Sequence, residues 1–226
     1  MNSKRLGRGI GALLLLTIIL GSIHLNFITG ERFDAPLDDA ARLIQLDELE
    51  RSLISGVAAA CLSLLVSLAF FRLLRPVSSR LALTALGLRL VDTVGHLVTV
   101  GLSLRMLDEL AVTESVVDWP TLAALQVQRI DVFHIALVLV SAGMAIVVGL
   151  LGRGRLIPLI LAGYGVAASV VVVICVSGME VFPALGDYVY PWFTYANGVA
   201  YVSLTLWLLC FSVSDQVPVA SQRSHT

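Results

Sequence analysis

Charged side chains are scarce in this sequence: they make up 14% of its 226 residues, and Lys4 is the only lysine. A soluble domain has roughly 25% charged residues with which to cover its surface. Hydrophobic residues instead make up 58% of the chain, and the mean hydropathy is +0.91. We therefore expect lipid to cover much of the protein. Because both need an intramembrane amine, a retinal or pyridoxal Schiff base within the apolar segments is excluded.

Short catalytic and ligand-binding motifs are missing as well. Cys61, Cys175 and Cys210 are isolated in apolar runs without a CxxC pair, and we interpret them as small packing residues. The chain has no glycine-rich nucleotide loop, no GxSxG, no HExxH and no basic, aromatic surface for nucleic acid. The net charge of −1 also indicates no polyanionic partner. No enzyme class can therefore be assigned from motifs.

Six apolar segments are long enough to cross a membrane, since a bilayer core of about 30 Å needs roughly 20 residues of helix. They are residues 8–29, 53–74, 81–104, 130–151, 156–178 and 193–213. The sequence thus predicts an all-α fold, a polytopic transmembrane bundle of about six helices that forms a single domain over residues 1–226. The loop Gly30–Arg51 also has an apolar stripe, and it is either a surface helix or an extension of the second helix.

The basic residues predict the orientation of these helices, because cytoplasmic loops of membrane proteins carry an excess of lysine and arginine. With six spans, one side has nine basic residues: Lys4, Arg5, Arg8, Arg72, Arg75, Arg80, Arg153, Arg155 and Arg223. The other side has five: Arg32, Arg42, Arg51, Arg105 and Arg129. The connections on that second side are also rich in aspartate and glutamate. We therefore expect both termini in the cytoplasm and an acidic outer face.

Several stretches of the chain resemble a known membrane family. The sequence FRLLRPVSSRLAL at Phe71–Leu83, followed by LRLV from Leu88, is similar to the signature of a bacterial six-helix family known as DUF4386. The turn LLGRGRLIP at Leu150–Pro158 and the ending LTLWLL at Leu204–Leu209 fit the same family. The resemblance implies a six-helix architecture in a bacterial inner membrane. The family supplies no established reaction, so it implies no catalytic residue.

Ionisable residues within the predicted helices are the candidates for a functional site, because such groups are costly in a membrane. The third helix has Arg89, Asp92 and His96 on one face, since their spacing places them within about a 60° sector. The fourth has Asp131 and His134 on a shared face, close to its outer boundary. These five residues form a predicted polar seam within the membrane.

Two interpretations of the seam are open. In the first, His24, His96 and His134 converge with a carboxylate and bind zinc, iron, copper or haem, or they relay protons. In the second, Arg89 pairs with one of the two carboxylates to lock the bundle, and the histidines bond to backbone or water. A guanidinium cannot lose its proton, so Arg89 needs a partner, and Asp92 is the nearest in sequence.

We predict an integral inner-membrane protein that acts as a non-enzymatic accessory, sensory or interaction component, with the lipid bilayer as its certain partner. A metal- or haem-dependent enzyme or electron carrier, with an outward-facing His/Asp site, is the first alternative. A small transporter or ligand-binding bundle is the second. A protein partner or a homo-oligomer fits any of these, and the sequence specifies neither, nor a substrate.

Overall fold

The computed structural model describes residues 3–30, 39–111, 118–179, 181–182, 185 and 190–211. These residues form six α-helices and no strand, which confirms the predicted all-α bundle. The helices are α1 Ser3–Gly30, α2 Asp39–Leu74, α3 Ser79–Ala111, α4 Trp119–Arg153, α5 Leu159–Gly178 and α6 Tyr190–Cys210. In this part of the chain, the first five are long and apolar enough to cross a membrane.

Large apolar side chains cover the outside of the bundle. Ile54 on α2, Ile135 on α4 and Ile160 on α5 are all more than half exposed, and Ile160 reaches 88%. In water such a surface would be unfavourable by about 25 cal/mol per Å². In a bilayer the same surface contacts acyl chains, so the protein is a membrane protein whose outer residues face lipid.

Three helices, α2, α3 and α4, extend at one end of the bundle well beyond the spans that the sequence predicted. The span 53–74 belongs to a helix that begins at Asp39, and the span 130–151 belongs to one that begins at Trp119. With 36 residues, α2 is about 54 Å long, well beyond a hydrocarbon core of about 30 Å. The described part of the loop Gly30–Arg51 is therefore an extension of α2 and not a separate surface helix.

The six helices form a closed ring in chain order. Each helix packs against the next, and α6 returns to pack against α1. The turns α2–α3 and α4–α5 lie at one end, which we call the basic end because Arg75, Arg80 and Arg153 lie there. The opposite end, where α1, α3 and α5 finish, we call the acidic end.

The α4–α5 turn at the basic end is a tight C-cap. Leu156 N–H donates to Leu151 O at 2.9 Å, and Arg155 N–H donates to Gly152 O at 3.0 Å. This is the hydrogen-bond pattern of a Schellman motif, which needs a left-handed residue after the helix. Arg155 takes that conformation with φ of 54°. The turn joins α4 to α5 within a few residues and thereby makes them antiparallel neighbours.

The interior has three layers. An apolar core at the basic end includes Ile10, Phe70, Met144 and Leu208. A smaller apolar cluster at the acidic end joins the extensions of α2, α3 and α4, and we call it the end cluster; it consists of Leu49, Met106, Leu110, Leu122 and Leu125. The end cluster explains why these helices continue past the membrane boundary. Between the two lies a layer of buried polar side chains.

Candidate functional site

The polar layer is organised by one face of α3. Arg89, Asp92, His96, Thr99 and Ser103 follow one another at intervals of three or four residues, so they line up along the helix. All except His96 are buried. Since α3 packs against α2 on one side and α4 on the other, this face meets polar groups from both neighbours. The sequence predicted the first three residues of this line and missed the last two.

Arg89 is 3% exposed and is held by hydroxyl groups of α2. Its Nε donates to Ser67 Oγ at 2.8 Å, and its Nη2 donates to Ser63 Oγ at 3.3 Å. The side chain of Tyr201 on α6 also interacts with the guanidinium. The hydrogen bonds of Arg89 therefore join α3 to α2 and to α6, and none of them goes to Asp92, the partner that its position in the sequence favours.

A glycine on α4 lets the backbone of that helix lie close to the side chain of Arg89. A Cβ placed on Gly143 of α4 would lie 3.0 Å from Arg89 Cγ, so only glycine leaves full space there. Glycine on a membrane helix commonly serves to bring a neighbouring helix near. The stem of Arg89 thus passes directly over the α4 backbone.

Asp92 is 1% exposed and lies beside His96 on the same helix. Its Oδ1 is 3.2 Å from His96 Nδ1, an ion-pair distance, although the angle is not that of a hydrogen bond. The same Nδ1 lies 3.2 Å from the Asp92 backbone carbonyl. Asp92 Oδ1 and Arg89 Nη1 are consequently both buried without a hydrogen bond, one helical turn apart.

His24 joins this layer from α1. Its Nδ1 lies 2.9 Å from Ser52 Oγ and 3.1 Å from Ser52 O, and its Nε2 lies 3.5 Å from Thr99 Oγ1. The ring centroids of His24 and His96 are 6.5 Å apart. Two of the three predicted histidines therefore come together, at the junction of α1, α2 and α3.

Arg129 is a member of the layer that sequence reasoning missed. The sequence counted it among the charges outside the membrane, but it is 0% exposed and its Nη1 donates to Ser103 Oγ at 3.2 Å. It lies more than two turns inside α4, because that helix begins at Trp119. A guanidinium thus ties α4 to α3 in the same way that Arg89 ties α3 to α2.

Asp131 and His134 lie elsewhere. Both line a concave groove between α4 and α5, together with Ser177 of α5, and Asp131 is exposed.

Among the described residues, no group of three histidine, cysteine, aspartate or glutamate side chains is arranged as metal ligands. Of the predicted residues, Arg89, Asp92, His96 and His24 therefore share the interior layer, and Asp131 and His134 share the groove.

The hydroxyl partners on α2 carried a weak signal in the sequence. Ser52, Ser55, Ser63 and Ser67 recur at helical spacing, and all four are buried. Small hydroxyl residues on one face of a membrane helix are typical of a helix–helix interface. Serine is equally common as a simple filler, so the spacing alone could not identify Ser63 and Ser67 as the partners of Arg89.

The arrangement can do two things chemically. It crosslinks helices through charge-assisted hydrogen bonds, which are stronger than neutral ones. It also places a carboxylate, two imidazoles and a guanidinium in one buried layer beside hydroxyl groups, a composition that suits proton transfer or a change of pairing.

One family model matches this chain. The family described as "Domain of unknown function (DUF4386)" matches residues 10–211, which is nearly the whole chain, and the resemblance noted in the sequence is thus confirmed. No curated protein and no solved structure matches the chain.

Proposed function

We propose that this chain, which belongs to the DUF4386 family, is a non-enzymatic sensory or accessory component of the bacterial inner membrane. We further propose that residues 1–226 form one transmembrane domain with both termini in the cytoplasm. The interior layer of Arg89, Asp92, His96 and His24 is its functional element, and this layer couples the positions of the helices to one another.

One observation carries the proposal: Arg89 Nη1 and Asp92 Oδ1 are buried one turn apart, each without a hydrogen bond. Buried polar atoms without partners are uncommon and destabilising, by about 1–3 kcal/mol each. Arg89 is bonded to the serines of α2, while Asp92 pairs with His96. A direct pair between Arg89 Nη1 and Asp92 Oδ1 would give both atoms a hydrogen bond, and we propose that the turn of the guanidinium toward Asp92 weakens its bonds to the serines of α2.

We therefore propose two pairings of the layer, one in which Arg89 is bonded to α2 and one in which its bonds to α2 are weakened. A sensor needs such an element, in which a small local change selects between two arrangements of packed helices. Hydroxyl–guanidinium bonds suit this role because polar contacts between membrane helices contribute only about 0.6 kcal/mol on average. A ligand or partner that favours one pairing would shift α2 relative to α3.

Distances between spin labels test this coupling. Labels on cysteines that replace Arg75 and Arg153, both exposed at the basic end, report the position of the α2–α3 turn relative to α4. The three native cysteines are first replaced. Ser67→Ala removes a bond to α2 and should shift the distance distribution one way, whereas Asp92→Asn removes the competing partner and should shift it the other way. Thr84→Ala, an exposed hydroxyl on α3, is the matched control.

Identical distributions in all these variants would overturn the coupling, because both pairings would then give the same helix arrangement.

A separate measurement addresses the metal or haem hypothesis. The absorption spectrum and metal content of the purified protein should show neither a Soret band nor stoichiometric metal. Either signal would replace the sensory proposal with the metal- or haem-dependent one, and loss of that signal in His24→Ala and His96→Ala would identify the ligands.

Location and orientation are tested by thiol labelling. In a background without native cysteines, Asp108→Cys should react with a membrane-impermeant maleimide from the periplasmic side. Arg75→Cys should react only when the inner membrane is opened. The reverse pattern would contradict the proposed orientation, since these two exposed positions lie at opposite ends of the bundle.

A further inference from the structure

A groove with a volume of about 720 Å³ lies between α4 and α5. Small-molecule sites in proteins usually occupy about 300–1,000 Å³ and combine an apolar lining with a few polar groups. This groove has that composition. Its walls are Asp131, His134, Ile135, Val138, Leu139, Val176, Ser177 and Met179.

The polar groups lie at one end of the groove. On α4, Asp131 and His134 come first, and Ile135, Val138 and Leu139 follow toward the middle of the helix. On α5, Ser177 lies next to the last residue of the helix, Gly178. With 20 residues, α5 is about 30 Å long, the thickness of the hydrocarbon core. The polar end of the groove therefore lies at the level of the lipid headgroups, and the apolar part lies among the acyl chains.

The charge of the groove is negative. Asp131 is exposed there, and in the described part of the chain its carboxylate forms no ion pair with a lysine or an arginine, while it interacts electrostatically with His134 in the same groove. The helix α5 contributes no charged side chain at all. Arg129, two residues before Asp131, points to the other side of α4 and bonds to Ser103 of α3. A carboxylate at the membrane boundary is stabilised by a cation, so the groove favours a cationic group from outside the chain.

The second polar group suits an anion beside that cation. Asp131 and His134 are three residues apart on one helix, which places their Cβ atoms about 5–6 Å from each other. An imidazole N–H donates a hydrogen bond to phosphate oxygen, and a carboxylate accepts hydrogen bonds from a primary ammonium. A headgroup in which an ammonium lies two carbons from a phosphate matches this spacing and this order of charges.

We propose that the groove binds a phospholipid with an ethanolamine headgroup. The ammonium pairs with Asp131, the phosphate bonds to His134, and an acyl chain follows Ile135, Val138 and Leu139 toward the middle of the membrane. This inference does not depend on the interior layer, since no residue of that layer lines the groove.

Native mass spectrometry of the full chain tests the proposal directly. The protein is released from a nonionic detergent after incubation with dioleoyl lipids that differ only in headgroup: phosphatidylethanolamine, phosphatidylcholine and phosphatidylglycerol. We expect about tenfold more of the one-lipid complex with the ethanolamine headgroup than with either of the others, a preference of about 1.4 kcal/mol. Choline keeps the positive charge but has no N–H to donate, and glycerol has no ammonium.

Two groove variants and one control variant decide whether the groove is the site. Asp131→Asn keeps the shape of the side chain and removes its charge, so it should abolish most of the headgroup preference. Asp108→Asn, an exposed carboxylate on α3 away from the groove, should retain it. Equal binding of the three lipids, or a preference that survives in Asp131→Asn, would overturn the proposal. Val138→Trp, which fills the apolar part, should reduce binding of all three lipids, and unchanged binding there would also contradict the site.

Discussion

Replacement of Arg89 by methionine gives the sharpest test of the interior layer. Methionine has a similar length and no charge, so Arg89→Met keeps most of the apolar packing and removes the guanidinium. Two hydrogen bonds to α2 are lost, and each contributes about 0.6 kcal/mol on average between membrane helices. These bonds together therefore account for only about 1 kcal/mol.

The larger effect on stability comes from the Asp92 carboxylate, which stays buried after Arg89 is replaced. Asp92 is 1% exposed and lies one turn away, so without Arg89 its carboxylate is a buried charge with only His96 beside it. Arg89 is not bonded to Asp92, so its removal takes away a nearby positive charge and not a bonded partner. We therefore expect Arg89→Met to lower the free energy of unfolding by more than the roughly 1 kcal/mol of its two hydrogen bonds and by less than the roughly 3–5 kcal/mol of a broken buried ion pair, measured by reversible unfolding in nonionic detergent micelles. Ser67→Ala, which removes one hydroxyl partner and leaves both charges, should lower it by about 1 kcal/mol or less.

The double variant Arg89→Met/Asp92→Asn separates the two contributions. It leaves no uncompensated charge, so it should be more stable than Arg89→Met alone, with a coupling of at least about 1 kcal/mol in the double-mutant cycle. Arg105→Met removes an exposed arginine from the same helix and should change stability by less than about 0.5 kcal/mol. Equal stabilities of Arg89→Met and Arg105→Met, or single losses that simply add in the double variant, would contradict the coupling between Arg89 and Asp92.

Two further substitutions test neighbouring parts of the interior. Gly56→Ala should lower the free energy of unfolding in detergent micelles by about 1–3 kcal/mol, because the new Cβ would lie 2.9 Å from the His24 ring. Gly163→Ala, whose new Cβ would have nothing within 4 Å, should be nearly neutral in the same assay. Met106→Ala should lower the free energy of unfolding by about 2–5 kcal/mol, because it opens a cavity in the end cluster. A change below about 1 kcal/mol would show that the extensions of α2, α3 and α4 do not depend on that cluster.

Composition and segment length were sufficient to predict the helical bundle, because continuous apolar segments of about 20 residues satisfy all their backbone hydrogen bonds in lipid as helices. The ends of α2 and α4 were not predictable from hydropathy. Asp47 and Arg51 in the α2 extension look like loop residues, yet they form an i,i+4 ion pair on the exposed side of a helix. Leu49, between them in sequence, is buried in the end cluster. Outside the membrane an amphipathic helix looks polar on average, and a hydropathy window ends the span too early.

The interior layer was predictable along α3 and not across helices. Arg89, Asp92 and His96 share a face because of helical geometry alone. Their partners depend on which face of α2 and α6 meets α3, and a single sequence does not contain that information. Asp131 and Arg129 illustrate the difficulty. They are two residues apart, so at about 100° per residue they point to nearly opposite sides of α4, one toward the groove and one into the bundle. Hydropathy treats both simply as charges near a helix end.

The position of the polar layer argues that it serves more than cohesion. The apolar core at the basic end and the end cluster at the acidic end already join the helices by packing. A buried charge between two such cores is weak evidence for stability, because apolar side chains of similar volume often pack there equally well. What a charge adds is a choice of partners: Arg89 bonds to Ser67, and in the proposed second pairing it turns toward Asp92 and the contact between α2 and α3 changes. Two rigid apolar layers at the ends would transmit that choice along the helices, since packed layers move as units and do not deform continuously.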